Sequence, residues 1–181
     1  MNRFVIAEPS KCIGCRTCEV ACALAHPFGD GTTQALSPAN FQPRLKLVRN
    51  IRVTAPVQCR QCENAPCVNS CPTKALVYRA GTVQLLEDRC IGCQTCVIAC
   101  PFGAMSMADT PVKTVSGPLM SRKTVSHAHK CDLCIDRKEG PACIQVCPTK
   151  ALMLIDPAGL DTAASQKRDQ ALTAMEAAAS S

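Results

Sequence analysis

Cys90-Ile-Gly-Cys93-Gln-Thr-Cys96-Val-Ile-Ala-Cys100-Pro101 is the stretch from which the fold can be read. Its spacing is C-x2-C-x2-C-x3-C-P, in which three close thiolates grip one iron-sulfur cubane and the fourth reaches a neighbouring one. Three sulfurs must point onto adjacent corners of one small body, so the chain has to curl tightly around it. Gly92 lets the backbone come close without a Cβ in the way. The loop amides are then free to bond to cluster sulfurs. The x3 step to Cys100 is one helical turn, which carries that sulfur away from the loop. Pro101 disfavours helix at the residue before it and ends the motif.

Outward from this stretch the motif recurs three times. Segment I, Cys12-Ile-Gly-Cys15-Arg-Thr-Cys18-Glu-Val-Ala-Cys22, is a near copy of segment III (90–101), with Gly14 in the place of Gly92. Segment II places Cys59, Cys62, Cys67 and Cys71-Pro72, and segment IV places Cys131, Cys134, Cys143 and Cys147-Pro148, with the middle gap lengthened. Cys-Pro-Thr-Lys-Ala-Leu follows identically at 71–76 and 147–152, and Cys100-Pro-Phe-Gly-Ala-Met is a variant, as duplication would leave. Short β-prone runs flank the segments: Phe4-Val5-Ile6, Leu76-Val77-Tyr78, Met105-Ser106-Met107 and Leu152-Met153-Leu154-Ile155. Arg79-Ala80-Gly81-Thr82 is a turn signal that makes 76–86 a hairpin.

Because each fourth cysteine serves a neighbour's cluster, the segments pair two by two. Eighteen residues separate Cys71 from Cys90, against 36 between Cys22 and Cys59 and 30 between Cys100 and Cys131. Segments II and III therefore read as one compact unit, and I pairs with IV by elimination; tandem pairing of I with II and III with IV stays open. The expected fold is α+β, two bacterial-ferredoxin-like units of short helices and hairpins around four 4Fe-4S clusters. An outer unit takes 1–55 plus 104–160, an inner unit takes 56–103, and 161–181 is a polar tail or short helix. Nested pairing gives the ligand sets Cys12, Cys15, Cys18 and Cys147; Cys131, Cys134, Cys143 and Cys22; Cys59, Cys62, Cys67 and Cys100; and Cys90, Cys93, Cys96 and Cys71.

Composition agrees with a metal-stapled interior. There are 16 cysteines in 181 residues and only 3% aromatics with no Trp, so clusters must fill and hold what large side chains usually would. Disulfides need an oxidising compartment. The opening Met1-Asn2-Arg3-Phe4-Val5-Ile6-Ala7-Glu8-Pro9 has neither a signal-peptide core nor twin arginine, so a cytoplasmic location with reduced thiols is expected. No stretch approaches the roughly 18 to 20 apolar residues of a membrane span, so no direct membrane insertion is expected. All-cysteine zinc sites, the competing use of such a pattern, take two separated C-x2-C knuckles per ion, and three cysteines within seven residues crowd that geometry. The formal charge of +6 would suit nucleic acid or an acidic partner, but the thiolates around four clusters offset it, and no nucleic-acid partner is expected.

The order and gap lengths of all four segments, over about residues 1–157, resemble the four-cluster electron-transfer subunits that accompany molybdenum-dependent oxidoreductases such as formate dehydrogenase and dimethyl sulfoxide reductase. The resemblance implies nested pairing, four 4Fe-4S clusters, and a redox enzyme partner: a molybdenum formate dehydrogenase and a hydrogenase or other acceptor. Membrane-bound members carry a C-terminal transmembrane helix that this sequence does not show. Segment I lacks a proline after Cys22, a departure common in first segments of that family.

No Ser-His-Asp set, phosphate-binding glycine loop or paired acids stand out, so no catalytic residue is assigned and no enzyme activity is expected. Electron relay is the leading function; a maturation factor for formate dehydrogenase or hydrogenase, and a zinc-bound structural module, are the alternatives. His26, His127 and His129 are read as surface loop residues, since each segment already supplies four sulfurs. Lys74 and Lys150 recur after their Cys-Pro and are read as solvated. Residues 27–56 and 104–130 read as insertions that cover the clusters or meet a partner, and Lys113, Arg122, Lys123 and Lys130 form a basic stretch able to steer an acidic surface.

Overall fold

The apolar run Phe4-Val5-Ile6 and the run Leu152–Ile155 lie at opposite ends of the sequence, and each needs a partner to satisfy its backbone. In the computed structural model they find one another. β1 (Phe4–Ala7) pairs antiparallel with β8 (Leu152–Ile155), Phe4 facing Ile155 and Ala7 facing Leu152, with Val5 and Leu152 both buried. The described residues are 2–27, 36–38, 40–116 and 119–179; of 111–116, 119–123, 157, 158 and 179 only the backbone is described.

Between these strands lie α1 (Thr17–Ala25), the hairpin β2 (Lys46–Arg49) and β3 (Thr54–Val57), α2 (Pro66–Asn69), the hairpin β4 (Leu76–Arg79) and β5 (Thr82–Leu85), α3 (Thr95–Ala99), the long hairpin β6 (Ser106–Ser116) and β7 (Leu119–His129), and α4 (Ala142–Gln145). α5 (Pro157–Ala179) closes the chain. Each of the first four helices starts just before the third cysteine of a segment. Pro66 opens α2 at the position where a missing N–H costs nothing. The β4–β5 turn has Ala80 at φ 49° and Gly81 at φ 67°, both left-handed, as a two-residue hairpin matched to strand twist requires.

α1 packs on α4, and α2 on α3. One core gathers Val5, Leu45, Leu133 and Leu152 with Cys18, Cys22, Cys131 and Cys143. A second gathers Ala65, Leu76, Val83, Met105 and Ala128 with Cys67 and Cys96. The two cores meet at Gln61, which is 1% exposed. Its Nε2 donates to the Cys131 carbonyl at 2.8 Å, its Oε1 accepts from the Val83 amide at 2.8 Å, and its own carbonyl accepts from Asn2 Nδ2 at 2.8 Å. One side chain thus ties together chain lengths from segments II and IV and from the β4–β5 hairpin.

The insertions take definite form here. Residues 104–130 are mostly the β6–β7 hairpin, its strands paired from Ser106 with His129 to Ser116 with Leu119. Residues 27–56 likewise contain most of the β2–β3 hairpin; their part at 28–35 and 39 lies outside the described residues. The described part of 161–181 lies in α5, a helix of 23 residues rather than a short one, alanine-rich and exposed along nearly its whole length from Leu160 onward. No helix among the described residues is long and apolar enough to cross a membrane.

Candidate iron-sulfur centres

The loop Cys12-Ile-Gly-Cys15 and its copy Cys90-Ile-Gly-Cys93 both pass through a left-handed glycine, at φ +71° for Gly14 and +70° for Gly92. The residue after the second cysteine, Arg16 or Gln94, is also left-handed, so the chain reverses and enters its helix with the third cysteine on the inner face. A Cβ on Gly92 would stand 2.7 Å from the Ser126 carbonyl oxygen of β7, and one on Gly14 would stand 2.8 Å from Arg49 Nη2. Each loop is therefore pressed by a spacer hairpin. β2–β3 walls the cavity of segment I with Leu47 and Pro56, and β6–β7 walls that of segment III with Met107 and Ala128.

Cys12, Cys15, Cys18 and Cys147 line one cavity. Cys71, Cys90, Cys93 and Cys96 line a second, and Cys59, Cys62, Cys67 and Cys100 a third. Cys22, Cys131, Cys134 and Cys143 are all buried, and the charges of the other three bear on Cys143. Four soft sulfur donors per cavity suit zinc or an iron-sulfur cluster, but an all-cysteine zinc ion takes two separated C-x2-C pairs, whereas each of these cavities takes three close cysteines of one segment and a fourth from another. The residues present fit a cubane, which when bound takes up and releases one electron at a time.

Burial opposes bare thiolates here, pushing Cys18 and Cys67 up to about 11, Cys131 up to about 12 and Cys143 higher still. Backbone amides reach four other sulfurs: Arg44 donates to Cys22 Sγ at 3.2 Å, Ala75 to Cys71 Sγ at 3.3 Å, Ala151 to Cys147 Sγ at 3.2 Å and Ala128 to Cys90 Sγ at 3.4 Å.

The three histidines are not surface loop residues. His26 caps the end of α1, its Nε2 3.0 Å from Asp132 Oδ1 and its Nδ1 2.9 Å from the Cys22 carbonyl oxygen. Burial works against its charge, but hydrogen bonds to Asp132, Cys134 and Cys22 outweigh it and push its pKa up to about 12. Asp132 also holds Arg44 Nη1 at 2.5 Å, which closes an ion-paired group over the fourth set of cysteines. Burial works against the Asp132 charge, but its bond to His26 and the Arg44 charge hold it well below the ordinary carboxylate range. His127 and His129 lie in strand β7 and are half-buried. His127 Nε2 stands 2.8 Å from Thr110 Oγ1. Burial first, then the charges of Arg44 and His26, push His129 down to about 4.

Lys130 is not part of an exposed basic stretch: it is 4% exposed and bonded through Nζ to the Val83 carbonyl and to the Cys131 carbonyl at 2.7 Å. The side chains of Lys113, Arg122 and Lys123 lie outside the described residues. Lys74 and Lys150 are exposed, as read from the sequence. Gln61, Arg44 and Asp132 went unnoticed in the sequence because single polar residues between ligands carry no periodic signal. Thr17 and Thr95 had one, since the same threonine precedes the third cysteine in both copies.

Comparison with known proteins gives the same chemistry. A family model for a 4Fe-4S dicluster domain matches residues 52–157, and a second 4Fe-4S dicluster model matches 11–76. The electron transport protein HydN of Escherichia coli (strain K12) is 47% identical over 169 residues, 93% of this chain and 96% of that one. An iron-sulfur protein of Rhodospirillum rubrum is 42% identical over 162 residues, 86% of this chain and 83% of its own. UacF of Escherichia coli (strain K12), named as an oxidoreductase, is 46% identical over 161 residues, 88% of this chain but 22% of its own length. The chain belongs to the 4Fe-4S dicluster family and is an electron transport protein of the HydN type that carries four 4Fe-4S clusters.

Proposed function

We propose that the chain relays electrons between a molybdenum formate dehydrogenase and a hydrogenase or other acceptor, as a cytoplasmic carrier without catalysis of its own. The nested ligand sets are part of this proposal: Cys12, Cys15, Cys18 with Cys147; Cys131, Cys134, Cys143 with Cys22; Cys59, Cys62, Cys67 with Cys100; Cys90, Cys93, Cys96 with Cys71. The outer unit is then 1–55 with 104–160 and the inner unit 56–103. The observation that supports it is the make-up of the cavities, each lined by three cysteines of one segment and a fourth from another. A redox partner belongs to this reading of an electron carrier, and it is supported by UacF, in which the matching 22% lies within a protein named as an oxidoreductase.

Protein purified without oxygen should be brown, with about sixteen iron atoms per chain at four per cubane. Cys22→Ser should disturb the same paramagnetic signal as Cys134→Ser; sharing a signal with Cys62→Ser instead would establish tandem pairing. For the partner, the chain should be used as bait in extracts of formate-grown cells and the captured complex supplied with formate. Bleaching of the clusters is expected. Recovery of neither a molybdenum enzyme nor a hydrogenase, with no bleaching, would remove the formate assignment.

A further inference from the structure

Amide donors reach cysteine sulfurs throughout the molecule, but hydroxyl donors do not. Thr17 Oγ1 donates to Cys15 Sγ at 3.2 Å, and Thr95 Oγ1 donates to Cys93 Sγ at 3.4 Å. Thr149 Oγ1 stands 3.8 Å from Cys147 Sγ, and Thr73 Oγ1 stands 3.7 Å from Cys71 Sγ. Sorted by cavity, Thr17 and Thr149 serve the sulfurs around segment I, while Thr95 and Thr73 serve those around segment III. Among the described residues no hydroxyl bonds to a sulfur of the other two sets.

The asymmetry is written in the repeat. Before the third cysteine, segments I and III place Thr17 and Thr95, where II and IV place Pro66 and Ala142. Two residues after the fourth cysteine stand Thr73 and Thr149 in II and IV, against Leu24 and Phe102 in I and III. Since each fourth cysteine crosses to the partner segment's cavity, both rules deliver their threonines to the same two cavities. Those cavities also hold Cys15 and Cys93, the two exposed cysteines of the sixteen.

Reduction adds negative charge to a cluster and its sulfurs. A hydroxyl aimed at a ligating sulfur stabilises that charge, and hydrogen bonds to sulfur together with solvent exposure are among the factors that set cluster potentials. We propose that Thr17 with Thr149, and Thr95 with Thr73, raise the reduction potential of the clusters at Cys15 and Cys93 above the other two, so that electrons dwell at the two centres that reach the surface. This inference rests on the ligand sets proposed above.

Thr17→Val with Thr149→Val removes two hydroxyls at nearly unchanged shape, and Thr17→Ser with Thr149→Ser keeps them. Midpoints of all four clusters should be followed by paramagnetic resonance during redox titration of the full chain, with iron content matched. The valine pair should reduce one cluster's reduced-to-oxidised ratio at fixed poise by about tenfold, equal to about 59 mV for a one-electron couple. The serine pair should leave it in place, and Thr95→Val with Thr73→Val should lower a different cluster. Four unmoved midpoints, or equal falls with valine and serine, would overturn the inference. If Thr17→Val and Thr149→Val each lower a cluster but not the same one, the hydroxyl effect stands and the nested ligand sets fall.

Discussion

Gln61 ties distant parts of the chain together from a buried position. It holds a left-handed backbone at φ 50°, and its side chain is the partner given to the Val83 amide. Gln61→Ala would leave that buried N–H unpartnered, whereas the Cys131 carbonyl would keep Lys130 Nζ. An orphaned buried donor costs about 1–3 kcal/mol. The thermal midpoint of Gln61→Ala, measured at matched iron content, should fall by about 5 °C, at roughly 2–4 °C per kcal/mol for a chain of this size. The two loop glycines make a second pair of expectations. Both alanine variants would sit in the left-handed region at a cost of roughly 1–2 kcal/mol. Gly92→Ala would also drive a Cβ against the Ser126 backbone carbonyl, while Gly14→Ala meets the end of the flexible Arg49 side chain and the Thr54 methyl at 3.0 Å. Gly92→Ala should therefore retain less iron at the segment III cavity than Gly14→Ala does at segment I, as read from metal content and visible absorbance.

At the scale of elements, the spacers are the lesson. β2–β3 and β6–β7 each lean over one Cys-Ile-Gly-Cys loop, so the two near-copies of the motif receive the same cover from hairpins unrelated in sequence. The physical need is common to both: a cavity open on one side must be walled by apolar groups, and a hairpin presents them on alternate residues. α5 stands apart from this logic. From Leu160 onward nearly every described residue is exposed, and only its start lies against β8. Deleting 162–181 should remove helical ellipticity while changing stability by less than about 1 kcal/mol, as expected for surface away from caps and core. Circular dichroism with an iron assay checks it; loss of iron would show that α5 braces β8.

For the molecule as a whole, half of the eight buried residues in the first core are cysteines. Few large side chains remain to hold the interior once iron is gone, and the bare thiols are buried where ionisation is opposed. Binding free energy at such sites is folding free energy. Removing iron with chelator under reducing conditions should abolish the cooperative thermal transition rather than shift it by a few degrees, and reconstitution with iron and sulfide should restore it. A metal-free chain that still melts cooperatively would mean the two cores suffice.

The four ligand segments, the 76–86 hairpin and the strand runs at 4–6 and 152–155 were legible in the chain because cysteine spacing and short apolar runs are local signals. The four-cluster cofactor followed from the same spacing. Contacts between distant positions were not legible: the β1–β8 seam, Gln61 between the cores, the Arg44–Asp132–His26 group and the burial of Lys130. Each depends on which polar atoms are left facing one another after the chain has closed around the cavities. A buried charge or amide is recognised by its partners, and those partners become neighbours only in three dimensions.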